Sequence, residues 1–263
     1  MRLIPSLLIK NQSLIKSKSF NYYKYLGDPV NVARIFLEKG ADELLINDCS
    51  AFKDGINFDL LERIASNTFI PITYSGNIKN INEIKKLINI GIERVAIGIY
   101  EPNDWNMVIE ASKFLGNSGV CSILNIGYSK LLKINLIFNY KKRRLKYRYR
   151  LNQAIEDANN LGRGEIILVD TLNDGTRKGF SLYKLRYKFN KNIPLTAYGG
   201  IKDYQECISL WENNFNGVAS SSFLSLLPPH DALLINYPKK HLNISNKNLT
   251  PPKVSIDRYS KYY

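Results

Sequence analysis

Acidic residues are in short supply: 23 Asp and Glu stand against 37 Lys and Arg in 263 residues, a formal net charge of +14. Histidine and cysteine are scarcer still. Two histidines, His230 and His241, fall near the C-terminus, and three cysteines, Cys49, Cys121 and Cys207, lie far apart. That spacing argues against a zinc site or a disulfide framework, so no metal or cofactor is expected. Long apolar runs are also missing. No stretch of about 18 apolar residues occurs, and the start MRLIPSLLIKNQ puts a proline and then a lysine where a signal peptide keeps an unbroken apolar segment. A cytoplasmic protein with no membrane span is the expectation.

What is present suits a folded chain. At 44% hydrophobic and 23% charged residues the composition is near the globular average, enough to bury a sizeable core in one large domain or two small ones. The positive charge is concentrated. Residues 141–150, KKRRLKYRYR, hold seven basic residues and no acid, and residues 239–263 hold six and one. These two segments supply twelve of the fourteen net charges and leave the rest almost neutral. A fold-wide nucleic-acid surface is therefore disfavoured, and the segments read as docking elements on an enzyme. The alternating Tyr and Arg of the first segment keep RNA stacking open as an alternative.

The strongest internal signal is a repeat. IPITYSGNIK at 70–79 answers IPLTAYGGIK at 193–202 with a constant offset of 123, and the same offset carries Val95 and Ala96 onto Val218 and Ala219. With a slip of one, DELLIND at 42–48 answers GEIILVD at 164–170. Two homologous halves are implied. Apolar runs at 3–9, 43–46, 70–74, 94–97, 120–124, 165–169, 193–197 and 217–220 look like buried parallel strands. Helical spacing recurs between them, at 29–39, 58–65, 81–90, 151–161 and 203–212. An α/β chain of eight such units predicts a single (β/α)8 barrel over 1–238, built from two half-barrels. An open doubly wound sheet is the competing architecture. The polar, Asn- and Lys-rich residues 239–263 read as a mobile tail.

In such a barrel the chemistry sits at the C-terminal strand ends. Past the seventh and eighth strands come Gly199, Gly200, Ser220 and Ser221, where glycines admit a phosphate to the backbone and hydroxyls supply donors. A tight turn and a helix cap are the plainer alternative. The matching place in the first half reads Ser75, Gly76, Asn77 and Gly98, Ile99, Tyr100, a poorer phosphate site. Strand-end carboxylates Asp48, Asp170 and Asp174 are acid–base candidates, although Asp174-Gly175-Thr176 is equally a turn with an Asx cap. The first and fifth strands end in Leu8 and Asn125, neither an acid nor a base. Lys16 is a candidate anion contact or a solvated surface lysine. At the opposite face Arg2, Glu43, Arg94 and Glu165 start the first, second, fourth and sixth strands, as a ring of alternating charge or as ordinary surface ion pairs.

Arg2-Leu-Ile-Pro, Lys16, Gly27-Asp-Pro, Asp42-Glu-Leu, Gly164-Glu-Ile-Ile-Leu, Asp174-Gly-Thr and Gly199-Gly-Ile together resemble the HisF family, the cyclase subunit of imidazole glycerol phosphate synthase, from Arg2 to about Phe223. IPSLLIKNQ and PHDALLINYP at 229–238 are similar to the HisF-like branch associated with amidino-sugar modification of surface polysaccharides. The resemblance implies ammonia delivered through the barrel from a HisH glutaminase docked on the bottom face, past a charged gate whose members match Arg2, Glu43, Arg94 and Glu165. It implies attack on a phosphoribulosyl formimino carboxamide ribotide, a substrate with a phosphate at each end. It also places a β-hairpin from the loop of residues 141–150 over the mouth. The family's two catalytic aspartates fall on Leu8 and Asn125. Hence the site expected here has Asn125 and Asp174 at the catalytic positions, Gly199, Gly200, Ser220 and Ser221 on phosphate, and Lys16, Asp48 and Thr176 on the rest of the substrate. The expected role is ammonia transfer to a phosphorylated small molecule in sugar amidination, with a sugar amidotransferase as a further partner. A non-catalytic barrel that binds a phosphorylated ligand or RNA, or scaffolds a partner, is the alternative.

Overall fold

A strand covered on both faces must be apolar along its length, and the segments with that character pair side by side. The computed structural model describes residues 2–18, 22–129, 131, 134–139, 144–161, 164–181, 193–227 and 232–237; the side chains of Tyr22, Ile134, residues 144–148, Leu227 and Ala232 lie outside that description. The first half runs β1 (Arg2–Lys10), β2 (Ser13–Lys18), β3 (Tyr22–Gly27), α1 (Pro29–Glu38), β4 (Leu44–Asp48), α2 (Ala51–Asp54), α3 (Phe58–Asn67), β5 (Ile72–Ser75), α4 (Ile81–Asn89), β6 (Arg94–Gly98) and α5 (Trp105–Leu115). The second runs β7 (Val120–Ser129), β8 (Ile134–Asn139), β9 (Arg144–Arg150), α6 (Leu151–Leu161), β10 (Glu165–Asp170), β11 (Leu195–Tyr198), α7 (Tyr204–Glu212), β12 (Gly217–Ser220), α8 (Ser222–Ser225), β13 (Leu226–Leu227) and β14 (Ala232–Leu233). Strands β1, β4, β5, β6, β7, β10, β11 and β12 pair in parallel in that order, and β12 returns to β1 with Arg2 opposite Gly217. The sheet is closed, a (β/α)8 barrel, which excludes the open doubly wound alternative.

Alternation along each strand divides the core in two. Leu3, Leu7, Leu44 and Ile46 face the helices and join the outer core, while Ile4, Leu45, Ala96, Cys121, Ile123, Ile167, Val169, Tyr198 and Ala219 form a separate cluster inside the barrel. Local capping repeats between the halves. The Asn80 side chain accepts from the Glu83 N–H at 3.0 Å and Glu83 reaches back to the Lys79 N–H at 2.7 Å. Asp203 accepts from the Glu206 N–H at 2.8 Å and Glu206 from the Lys202 N–H at 2.8 Å. Each such cap is worth about 1 kcal/mol, and these four residues obey the offset of 123 read from the sequence.

The structure differs from the sequence reading at strand starts and in the loops. β5 and β11 begin two residues later than the runs at 70 and 193, since Pro71 and Pro194 have no N–H to give the ladder. Their carbonyls still accept from the Leu44 and Ile166 N–H groups, each at 2.9 Å. Two antiparallel hairpins extend barrel strands. β2 and β3 follow β1, a hairpin the strand pattern did not foretell, and β8 and β9 follow β7. Residues 144–150 of the basic segment form β9; residues 141–143 and the proposed tail, 239–263, lie outside the described residues, as do His230 and His241. Among the described residues no helix is long and apolar enough to cross a membrane.

Candidate functional site

The C-terminal strand ends open on two adjoining clefts. One, of about 80 Å³, is lined by Leu8, Asp48, Phe52, Gly98, Tyr100 and Asn125 among others. The second is a small cleft walled by Asp174, Arg177, Gly199, Gly200, Ser220 and Ser221, with Tyr198 shared between the two. The expected phosphate residues are thus brought together with Asp174 in one place. Gly199 and Gly200 have φ of +95° and +82°, and added Cβ atoms would meet the Asp170 carbonyl at 2.8 Å and the Gly179 carbonyl at 2.8 Å. Glycine is required there on both counts, left-handed backbone and close approach. Ser220 Oγ accepts from the Phe223 N–H at 3.4 Å, in the first turn of the short helix α8, whose N-cap is Ser221.

Sequence reasoning missed Arg177. Its guanidinium donates to the carbonyls of Ser222 and Leu226, both at 2.6 Å, and holds the cation beside the two glycines. Only its position just past Asp174-Gly175-Thr176 could have flagged it. Thr176 has its hydroxyl committed to the Asn173 carbonyl at 2.7 Å, so the turn reading describes it well. Lys16 sits in β2, in register with Lys24, and lines neither cleft.

Three carboxylates at this face have distinct surroundings. Asp170 accepts from the Leu172, Asn173 and Ser181 N–H groups at 3.0–3.2 Å and organises its own loop. Asp48 accepts from the Ser50 N–H at 2.8 Å, the Ser50 hydroxyl at 2.9 Å and the Ala51 N–H at 3.2 Å. Burial still pushes its carboxyl above the usual range against those donors. Asp174 is buried and takes one side-chain hydrogen bond, from Ser17 Oγ at 2.9 Å. Burial, with Asp170 nearby, pushes its pKa up to about 6, although Ser17 and the Gly175 N–H oppose the shift. Such a group changes protonation near neutral pH, as proton transfer demands. Leu8 and Asn125, at 6% and 7% exposure, line the larger cleft from opposite sides of the barrel and offer no titratable group.

At the other end of the barrel the four charged residues meet in a ring around a basin of about 780 Å³. Glu165 takes Arg2 Nη2 on one oxygen and Arg94 Nη2 on the other, each at 2.6 Å. Glu43 is held more loosely, 3.3 Å from Arg2 and 3.7 Å from Arg94. The electrostatics follow the distances. Burial would raise both acids, but the hydrogen bond and charge of Arg2, with Arg94 and Thr196, hold Glu165 below the ordinary carboxylate range. For Glu43 burial wins and the pKa is raised. The Thr196 hydroxyl donates a very short bond to Glu165; Thr196 belongs to the repeated sequence block, where it read only as a strand residue. Among the described residues no cluster of three or more His, Cys, Asp or Glu could hold a metal ion.

A closed (β/α)8 barrel with a glycine-serine cradle on its last two strands and an ion ring at its floor defines a narrow class of barrel. The chain belongs to the histidine biosynthesis protein family, whose model matches residues 2–225. It is 32% identical over 247 residues to a Leptospira interrogans protein provisionally named imidazole glycerol phosphate synthase subunit HisF, covering 91% of this chain and 95% of that one. It is 32% identical over 246 residues to a Pseudomonas aeruginosa protein provisionally named as subunit hisF2, covering 90% and 94%. Identity to the Staphylococcus aureus imidazole glycerol phosphate synthase subunit HisF is 28% over 214 residues, covering 80% and 84%.

Proposed function

We propose that this barrel is a HisF-type subunit that takes ammonia from a HisH-like glutaminase docked on the floor basin and passes it between Arg2, Glu43, Arg94 and Glu165 to a phosphorylated acceptor at the mouth. In this reading the acceptor phosphate sits on Gly199, Gly200, Ser220 and Ser221, Asp174 exchanges the proton, and Asp48 and Asn125 contact the acceptor. The end use is sugar amidination for surface polysaccharide, in the cytoplasm, with a sugar amidotransferase receiving the product or the ammonia itself. One observation carries the reading: an intact four-residue ion ring at the floor stands beneath a mouth whose first and fifth strands present Leu8 and Asn125 in place of acids. An apolar Leu8 and a neutral Asn125 give no general acid or base, a loss of roughly 10²–10⁴ in rate for each missing group.

The test has two arms. Mixing the purified chain with a HisH-type glutaminase should raise glutamine hydrolysis and give a co-eluting complex; no stimulation and no complex would remove the ammonia-transfer role. With ammonium salt in place of the glutaminase, the ribotide that HisF proteins cyclise should turn over far more slowly than with a HisF that carries both aspartates. A normal rate would return the chain to histidine synthesis.

A further inference from the structure

The two halves of the mouth are related by the offset of 123, yet they are not equally open to an anion. Ala197, which underlies the Gly199-Gly200 turn, corresponds to Tyr74, and Ser221 and Ser222 correspond to Gly98 and Ile99. Tyr74 is fully buried, with its hydroxyl 3.3 Å from both the Gly76 carbonyl and an Asp48 carboxylate oxygen. Its ring carbon Cζ lies 2.6 Å from where a Cβ on Gly76 would stand. The Tyr100 hydroxyl lies 2.7 Å from the corresponding point on Gly98. Two phenol rings therefore fill the space that the second half leaves to Gly199, Gly200 and the serines. The hydroxyl donors are gone too, since Ile97 and Gly98 stand where the second half has Ser220 and Ser221. What remains there is the cleft of about 80 Å³ with Leu8, Phe52 and Tyr100 in its wall and the Asp48 carboxylate on its rim. A buried carboxylate opposes a phosphate, because like charges in a weakly screening site repel strongly.

We propose that the ligand of this barrel carries a single phosphate, held by the seventh and eighth strands, and presents an uncharged, partly apolar end to the cleft of Leu8, Phe52 and Tyr100, with Tyr74 and Tyr100 as the residues that exclude a second phosphate. The inference rests on the phosphate site of the proposed function and narrows its substrate class. The geometry selects against a bisphosphate.

Titration of the full chain followed by calorimetry and phosphorus NMR tests this, with inorganic phosphate, ribose 5-phosphate and ribulose 1,5-bisphosphate as probes. One phosphate per chain is expected. The bisphosphate should bind less than tenfold tighter than the monophosphate, and Ser221→Asp should weaken both at least tenfold. Ser220→Ala, which only removes a hydroxyl, should weaken both several-fold and serves if the Asp variant misfolds. The double variant Asp48→Asn/Tyr100→Ala should gain affinity for the bisphosphate relative to the monophosphate. Two phosphates per chain, a bisphosphate preference of tenfold or more, or a single phosphate indifferent to both serine variants would overturn the inference and leave ammonia transfer standing. No binding of any probe would instead remove the phosphorylated acceptor from the proposed function.

Discussion

Ser17, in the hairpin after the first barrel strand, donates a 2.9 Å hydrogen bond to Asp174, in the loop after the sixth. Chain positions 157 residues apart are thereby joined across the mouth, and the contact is tight: Gly175 adopts φ of +70°, and a Cβ there would stand 3.2 Å from the Lys18 Cα. The hairpin is what buries Asp174 and sets its proton affinity. Candidate chemistry on the sixth strand therefore depends on an insertion in the first.

Replacing Asp174 with Asn should stabilise the protein at neutral pH. Its folded pKa of about 6 lies above the unfolded value near 3.9. Between those values the folded chain holds a proton that the unfolded chain has released, so stability falls as pH rises through the window and the cost is complete above about pH 6. Urea unfolding of Asp174→Asn should show a gain of up to about 3 kcal/mol at pH 7.5 that vanishes near pH 4. Equal stability of the two proteins at pH 7.5 would contradict the assigned shift.

The two floor acids should not be equivalent. Glu165→Gln strips both arginines of their 2.6 Å partners and should cost roughly 3 kcal/mol, the low end for a buried pair because the Arg2 side chain keeps 36% of its exposure. Glu43→Gln replaces an acid that burial already disfavours and whose contacts are 3.3 and 3.7 Å, so it should cost much less. Thermal melts of the two variants give the order directly; the reverse order would mean the ring is held from the Glu43 side.

Gly217 is where β12 begins, beside the ring. A Cβ there would press on the Thr196 hydroxyl, on Arg2 Nη2 at 3.3 Å and on Ile4 Cδ1 at 3.3 Å. Gly217→Ala should therefore cost about 1–3 kcal/mol by overpacking. Denaturant midpoints would reveal it, and an unchanged midpoint would show that the floor has slack.

Restoring acids at the mouth is the complementary test of function. Leu8→Asp with Asn125→Asp should raise ammonium-dependent turnover of the ribotide by about 10² or more. The same change should lower the melting temperature, because it adds two carboxylates to a cleft that already holds Asp48. Activity no higher than the parent's would mean that the filled first-half site, not the missing acids, limits this chemistry.

Much of the fold was legible before any coordinates. The apolar runs and the helical spacing between them, both local in the chain, placed seven of the eight barrel strands and five helices to within two residues, while β7 runs five residues beyond its apolar run into the hairpin with β8. The floor ring was legible as well, because strands of one barrel start in one plane and charge at those starts has to converge. The hairpin of β2 and β3 was not legible, since its strands are six residues each, broken by Lys and Ser, and are fixed by pairing with one another and with β1. The role of Arg177 escaped for a similar reason, as both its carbonyl partners lie more than forty residues away.

The sequence by itself determined the eight strand and helix units, the repeated halves and the Leu8 and Asn125 that end the first and fifth strands, all of which depend on residue identity and spacing along the chain. Only the tertiary structure decided that Glu165 is gripped while Glu43 is not, that Asp174 titrates near neutrality, and that Tyr74 and Tyr100 fill the first half of the mouth. Those properties depend on distance and burial, which arise when segments far apart in the chain are packed against each other.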